Sequence, residues 1–434
     1  MTLRCDGVTT NLGHSTIIVG CFVTLVASFA ACGGGERKIV EPPPTGSADF
    51  TLTIRPDPED AGVAQQLGWT AGIPGAEVSI AQAGFGGSGQ TFTTSATGTV
   101  AITGLQSGSY RVSVRRLFSG AEITRLGTAS DAVAFVGERE IGVSSSSGSA
   151  TINVPASRRR SLVISEFSFN LRYLPALGTY NFGCFLELYN NGDTTVYLDG
   201  VLVADAYSTV QDLPLAPCAI MEPFRNDPAG IWTRYLAAFP GSGRNYPLRS
   251  GANVVVATDA IDHSAIFPGM IDLRAANFEF IGPADVDNPT VPNMIDHSLR
   301  TPFFDHGISF PSLLHAAAVI GSATNPVTLP RSKIPLGTQD YNRLPREGML
   351  DVFTTSTTYY LQQQPPTTLC PQIVNAAMDR QYGFFQADSP DEYLVSISRK
   401  VLTTLPDGRL VLQHTRTSAS DFQRTPRTPG TVQR

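Results

Sequence analysis

The sequence predicts an all-β protein built from two β-sandwich domains, and three observations carry that reading. Charged residues are only 16% of the 434, while 40 glycines and 31 prolines punctuate the chain. That mixture suits short strands joined by many turns and disfavours helical bundles and coiled coils. Residues 162–170 (LVISEFSFN) carry apolar side chains at both parities, Leu162 and Ile164 against Val163 and Phe167, as in a strand buried on both faces. Residues 185–205 (FLELYNNGDTTVYLDGVLVAD) read as strand, tight turn, strand. Asn190-Asn191-Gly192-Asp193 supplies residues tolerant of positive φ, and Val196 and Leu198 alternate with polar neighbours until Asp199-Gly200 turns the chain again.

At the N-terminus, residues 15–31 (STIIVGCFVTLVASFAA) form a short apolar run ending in small residues, followed by Cys32 and a glycine run. This is the layout of a secretory h-region with its cleavage site, so 1–31 is expected to be a signal peptide. Phe29-Ala30-Ala31-Cys32 resembles a bacterial lipobox. The resemblance implies that the Cys32 thiol is diacylglycerylated and becomes the new N-terminus. Residues 32–47 contain Pro42-Pro43-Pro44 with flanking Gly and Ser, which keeps them extended as a tether. Acyl chains on Cys32 would hold the protein on a membrane at about 0.8 kcal/mol per buried methylene.

The first expected domain covers 48–156. Residues 49–54 and 75–80 alternate as strands, and 90–114 (QTFTTSATGTVAITGLQSGSYRVSV) give two further strands with turns at Thr97-Gly98 and around Gly104 to Ser109. Tyr110, Val112 and Val114 line one face. Strands follow at 132–136, 141–143 and 150–154. The spacing of Thr97-Gly98, Gly104-Leu105, Gly108, Tyr110 and Val112 resembles the transthyretin-like or carboxypeptidase-regulatory-like β-sandwich. In that family the leucine and tyrosine plug the core and the glycines permit close turns.

The second expected domain covers 161–434. Its opening strings, with Tyr246-Pro247-Leu248, Gly251 and residues 253–257 (NVVVA), resemble a lamin-tail-like, immunoglobulin-like domain. It is expected to close with 395–399 (VSISR), 410–413 and Ala419-Ser420-Asp421-Phe422. Where that family carries an Asp-Thr-Asn-Asn-Ser-like string, this chain has His414-Thr415-Arg416-Thr417-Ser418. Residues 206–244 and 258–390 read as loop insertions with short helices at 230–239, 312–320 and 373–380. The strings FPGSGRNYP, DAIDH and DVDNPTVPN resemble a family of bacterial lipoproteins of unknown function, which implies no activity.

Function has to be sought in the loops, where binding and catalytic residues concentrate. The mature chain has no G-x-S-x-G, H-E-x-x-H, C-x-x-C, Walker-type or dinucleotide motif. Residues 84–90 (GFGGSGQ) are glycine-rich but enter a strand, not a helix N-terminus. Net charge is −6 and the only basic triplet is Arg158-Arg159-Arg160, so no nucleic-acid partner is expected. Downstream of the leader stand Cys184, Cys218 and Cys370, too few for a disulfide framework. Glu166 and Glu187 recur at matching places in two strands. Such a pair either works as catalytic carboxylates or satisfies backbone groups.

Three aspartate–histidine pairs, Asp262-His263, Asp296-His297 and Asp305-His306, fall in the long insertion near Asp259, Asp272, Glu279, Asp285, Asp287 and Asn288. Oxygen-rich strings of this kind suit Ca²⁺, and imidazole with carboxylate suits zinc. Plain turn-capping is the simpler use of the same side chains. The candidate metal ligands are Asp259, Asp262, His263, Asp285 and Asp287, for a structural calcium. The nine large apolar residues between Ile261 and Ile281 (Ile261, Ile266, Phe267, Met270, Ile271, Leu273, Phe278, Phe280 and Ile281) predict that 258–300 is an ordered binding surface. The sequence therefore points to an exported, non-enzymatic binding or structural module, lipid-anchored to the outer membrane through Cys32. Its expected partner is an outer-membrane protein or an extracellular ligand. The alternative is a metal-assisted hydrolase with its site in 258–306.

Overall fold

The computed structural model describes residues 47–84, 89–144, 147–168, 172–174, 178–180, 183–205, 218–266, 269–280, 287–299, 316–333, 340–356, 374–384 and 395–432. The chain is all-β, in sandwich form. Cys32 and the leader lie outside the described residues.

Alternation builds the first sandwich. In the strand Gly108–Leu117, Tyr110, Val112 and Val114 are buried while Ser109, Arg111 and Arg115 face outward. This strand sits centrally in a five-stranded sheet, ordered Gln90–Thr93, Glu77–Gln82, Gly108–Leu117, Ala132–Val143, Ala156–Arg158. A three-stranded sheet faces it, with Ser47–Pro56 between Thr99–Gln106 and Gly148–Val154, the last pair parallel. Leu52, Ile54, Val78, Ile102, Leu105, Val112 and Ile152 interlock between them. Leu105 and Tyr110 are buried there, as the family resemblance implies. The expected strands 132–136 and 141–143 run as one, Ala132–Val143.

The second sandwich has two six-stranded sheets. One is ordered Phe278–Glu279, Asn253–Ala257, Phe185–Tyr189, Val163–Ser168, Val395–Arg399, Phe422–Pro426. Val395–Arg399 thus pairs directly with Val163–Ser168, although more than 200 residues separate them in sequence. The facing sheet is ordered Ile295–Asp296, Leu236–Ala238, Leu202–Asp205, Ala316–Ile320, Met349–Ser356, Gly383–Phe384. Ile164, Phe167, Leu186, Leu188, Val203, Val254, Val319, Phe353 and Ile397 fill the space between the two.

Most strands of the facing sheet come from 206–244 and 258–390, the segments read from sequence as loop insertions. The expected helix at 230–239 is two strands, Gly230–Thr233 and Leu236–Ala238. Within the expected helix at 312–320, Ala316–Ile320 is a strand. The described part of 373–380 is a turn rather than a helix. The physical reason is a third layer. Gly230–Thr233, Asp340–Pro345 and Arg331–Lys333 form a small sheet. Its Ile231 and Leu344 pack with Leu202, Ala204, Ala318 and Ile320 on the far side of the facing sheet. Strands covered on both faces show continuous apolar runs rather than alternation, which periodicity cannot tell from a buried helix. A helix not expected from sequence spans Cys218–Arg225.

Residues 410–413 were expected in the second sandwich, but Leu410–Leu412 pairs instead with Val401–Thr404 in a separate hairpin. That hairpin straddles both sandwiches. Leu402 and Val411 pack on Ala134 and Val136 of the first, while Leu412 packs on Val163 and Tyr189 of the second. Arg115 Nη2 donates to the Leu402 carbonyl at 2.7 Å, and Tyr189 Oη donates to the Leu410 carbonyl at 2.8 Å. Charges reinforce the junction: Arg158 and Arg380 both pair with buried Asp60, and Arg416 pairs with Glu59 at 2.7 Å. Truncating Leu402 removes part of the hairpin's packing on Ala134 and Val136. Leu402→Ala is expected to lower unfolding free energy by about 2–5 kcal/mol, read from the urea midpoint. A loss under about 0.5 kcal/mol, the range of ordinary surface changes, would contradict the bridging role.

Candidate functional site

The aspartate–histidine constellation is held by local bonds. His263 is buried, and its Nε2 lies 2.9 Å from the carbonyl oxygen of Asp259, four residues earlier. Burial lowers its pKa. Asp262 Oδ1 accepts from Ser264 N at 3.0 Å, and Asp272 is forked by Arg274. Glu279 is fully buried and accepts from Ala260 N at 2.8 Å and Asn288 N at 3.0 Å. Asp287 Oδ1 accepts from Asn293 Nδ2 at 2.7 Å, and Asp296 Oδ1 from Ser298 N at 2.9 Å. Asp285 and Asp305-His306 lie outside the described residues. Among the described residues no group of three or more His, Cys, Asp or Glu is arranged to hold a metal.

The apolar residues of the same segment pack on the outer face of the sheet: Ala260, Leu273 and Val291 cluster with Phe185, Val255 and Ala257. Asp199 does similar organising work for the FPGSGRNYP string. Its carboxylate accepts from Gly243 N, Asn245 N and Tyr246 N at 2.8–3.0 Å. Burial would raise its pKa, but these donors outweigh that and lower it.

Glu166 and Glu187 do face each other, as register partners on adjacent strands. Both are buried, and both are occupied. Glu166 accepts from Ser396 Oγ, and from Thr428 N and Thr428 Oγ at 3.0 Å. Glu187 accepts from Ser165 Oγ at 2.8 Å and Gly430 N at 2.7 Å. The pair therefore clamps the Thr428-Pro429-Gly430 strap against the sheet. Burial pushes Glu187 up to about 7, with hydrogen bonds from Ser165 and Gly430 opposing the rise and the charge of Glu166 adding to it.

A more open arrangement lies where the linker after the first sandwich meets the second. A cleft of about 130 Å³ is lined by Arg160, Arg346 and Arg416, by Met349, Val352 and Met378, and by Asp351 and His414. Behind it is a buried polar cluster. Asp351 Oδ2 accepts from Arg399 Nη2 and from Ile164 N at 2.7 Å, while Oδ1 lies 3.1 Å from His414 Nε2. Burial alone would raise the Asp351 pKa, but Arg399 and His414 outweigh it and hold the carboxyl below its usual range. His414 N donates to Ser157 Oγ at 3.0 Å, tying the cluster to the first sandwich. His414 Nδ1 is buried without a hydrogen-bond partner among the described residues.

Sequence reasoning did not find this cleft. The signal available was the string His414-Thr415-Arg416-Thr417-Ser418, which departs from the lamin-tail pattern at the positions that line it.

The glutamate clamp makes a pH prediction. An unperturbed glutamate titrates near about 4.3, so between there and about 7 the folded chain keeps a proton on Glu187 that the unfolded chain has lost. The stability this group contributes is present at the acid end of that window and is lost as pH rises through its folded value. Glu187→Gln cannot ionise. Wild type is expected to lose stability relative to the variant across the window, measured by urea denaturation at successive pH values. A wild-type-to-variant difference that stays constant would contradict this assignment.

Comparison with known proteins adds family context. The family described as "Protein of unknown function (DUF4876)" matches residues 249–428. Among curated proteins none matches the chain. A DUF4876 family protein from Bacteroides thetaiotaomicron is similar in structure at 15% identity and a TM-score of 0.46, covering 87% of this chain and 94% of that one. A 5-hydroxyisourate hydrolase from Klebsiella pneumoniae aligns at 17% identity and a TM-score of 0.16, covering 27% of this chain and 98% of that one. A DUF3823 family protein from Bacteroides uniformis aligns at 10% identity and a TM-score of 0.16, over 48% and 82% of the two chains. The matched family is one of unknown function and assigns no activity.

Proposed function

We propose that the chain is an exported lipoprotein whose two-sandwich body is a binding module at the cell envelope, tethered through Cys32 and accessory to an outer-membrane protein. The observation that carries the binding reading is the fate of the polar residues in 258–299. Described carboxylates such as Asp262, Asp272, Glu279 and Asp296 are spent on backbone groups of their own segment, which fixes a surface shape instead of gathering titratable groups at one point. A hydrolase would need Asp259, Asp262 and His263 to converge on a substrate. Instead, the His263 ring meets the Asp259 backbone carbonyl and Asp262 Oδ1 takes donors from Ser264. Sandwich loops held this rigidly lose little entropy when a partner docks.

The anchoring half of the proposal rests on the apolar run at 15–31, the small residues before Cys32 and the Gly/Pro-rich tether after it. Metabolic labelling with an alkyne fatty acid tests it directly. Wild type is expected to take label and sediment with membranes, and Cys32→Ala to lose both properties. Equal labelling of the two proteins would overturn the anchor.

A further inference from the structure

We propose that the Thr428-Pro429-Gly430 strap is a pH-sensitive latch: closed at mildly acid pH, it lifts from the sheet locally as pH rises and uncovers the carboxylates and hydroxyls that it seals.

The strap is a thin cover over a deeply buried place. Glu166 and Glu187 are 1% and 0% exposed, whereas Thr428 and Pro429 above them are half-buried and Gly430 is exposed. The last strand ends at Pro426. Beyond it, Glu166 takes hydrogen bonds from Thr428 N and Thr428 Oγ, and Glu187 takes one from Gly430 N. Arg427 Nη1 adds a bond of 3.4 Å to the Gly183 carbonyl, and Val432 packs, partly buried, with Val163, Tyr189 and Leu412. A short segment with exposed backbone, tied down at a few points, is the kind that opens ahead of the whole fold.

The pairing beneath the strap makes that opening depend on pH. Glu187 and Glu166 are register partners on adjacent strands, so charging both in a buried site sets like charges against each other. The groups around them have separate effects. Arg427 on the strap favours the charged form of Glu166, and Ser396 donates to it from the strand on its other side. Ser165 and Asn253, on the strands flanking Glu187, donate to Glu187. His263, from the neighbouring 258–299 segment, feels the charge of Arg427, and burial keeps its pKa low, so it is neutral near pH 7 and does not switch with the glutamates.

Glu187 is the group that holds the proton. Burial, with the charge of Glu166 adding to it, outweighs the donors and raises it to about 7. Once that proton leaves, the closed strap shuts two charges away from water, and lifting it hydrates both. A carboxyl raised in the closed state and ordinary in the open one favours closure most at acid pH. Its bias toward opening grows from about 4.3 until pH passes about 7 and is constant above that. The lifted strap leaves Glu166 and Glu187 facing solvent beside the Ser165 and Ser396 hydroxyls.

The test is hydrogen–deuterium exchange of the full chain in detergent, read by mass spectrometry at successive pH values with intrinsic exchange rates divided out. One peptide carries 428–432 and the other the buried strand Asn253–Ala257. Protection of the strap in wild type is expected to fall about tenfold per pH unit between about 5 and 7 and to level off above, while the strand stays more protected throughout. In Glu187→Gln the fall over that range is expected to be at least about tenfold smaller. Strap protection in wild type that does not change with pH overturns the latch, and this arm stands even where the variant fails to fold. Equal protection of strap and strand at every pH overturns local release, because the strap would then open only with the whole fold. A fall in Glu187→Gln as steep as in wild type overturns the assignment to Glu187. None of these outcomes bears on the lipid anchor, which the Cys32 labelling tests separately.

Discussion

Arg399 has 1% of its surface exposed, yet its guanidinium faces two carboxylates, two backbone carbonyls and an aromatic ring. Nη2 pairs with Asp351 and Nη1 approaches Asp421 Oδ2 at 3.4 Å. Nε donates to the Ile164 carbonyl at 2.7 Å and Nη1 to the Gln413 carbonyl at 3.0 Å, while Phe422 lies 4.2 Å beneath. These partners come from both sheets of the second sandwich and from the loop that returns from the hairpin. A buried ion pair adds little relative to apolar residues of similar shape, but losing one partner leaves a stranded charge that costs about 3–5 kcal/mol. Each member of the cluster is therefore costly to remove on its own.

The same cluster gives the cleft its character. Asp421 accepts from Thr415 N at 2.7 Å and Thr415 Oγ at 2.8 Å, which fixes the loop that carries His414 and Arg416. His414 reaches across to Ser157 and Arg416 to Glu59, both in the first sandwich. One polar core thus sets the second sandwich, the junction between sandwiches and the geometry of the cleft. The described body from Thr45 onward clusters as a single compact unit, consistent with that shared support.

Much of the fold was legible because local pattern and final environment agree. The strands at Val163–Ser168, Phe185–Tyr189 and Asn253–Ala257 stand where the apolar strings predicted, but the expected hairpin does not form: none of Asn190, Asn191, Gly192 and Asp193 is at positive φ, and Phe185–Tyr189 pairs with Val163–Ser168 and Asn253–Ala257 while Val196–Tyr197 pairs with Pro247–Leu248. The facing of Glu166 and Glu187 followed from their matching places on two adjacent strands. The third layer was not legible. Residues 202–204 and 317–320 are apolar throughout and covered on both sides, so neither run shows the period that separates strand from helix. The cleft was hidden for a different reason. Asp351, Arg399 and His414 are dispersed in sequence and converge only through tertiary packing, whereas the attractive Asp-His doublets of 258–299 are close in sequence and serve local turns.

The central claim is that Arg399 and Asp351 act as one coupled buried unit, and a double-mutant cycle measures this most directly. Arg399→Met, Asp351→Asn and the double variant would be compared with wild type by urea denaturation. The account predicts that each single change costs about 3–5 kcal/mol and that the double variant loses well under the sum, with a coupling energy of about 2–3 kcal/mol. Additivity within about 0.5 kcal/mol would contradict it.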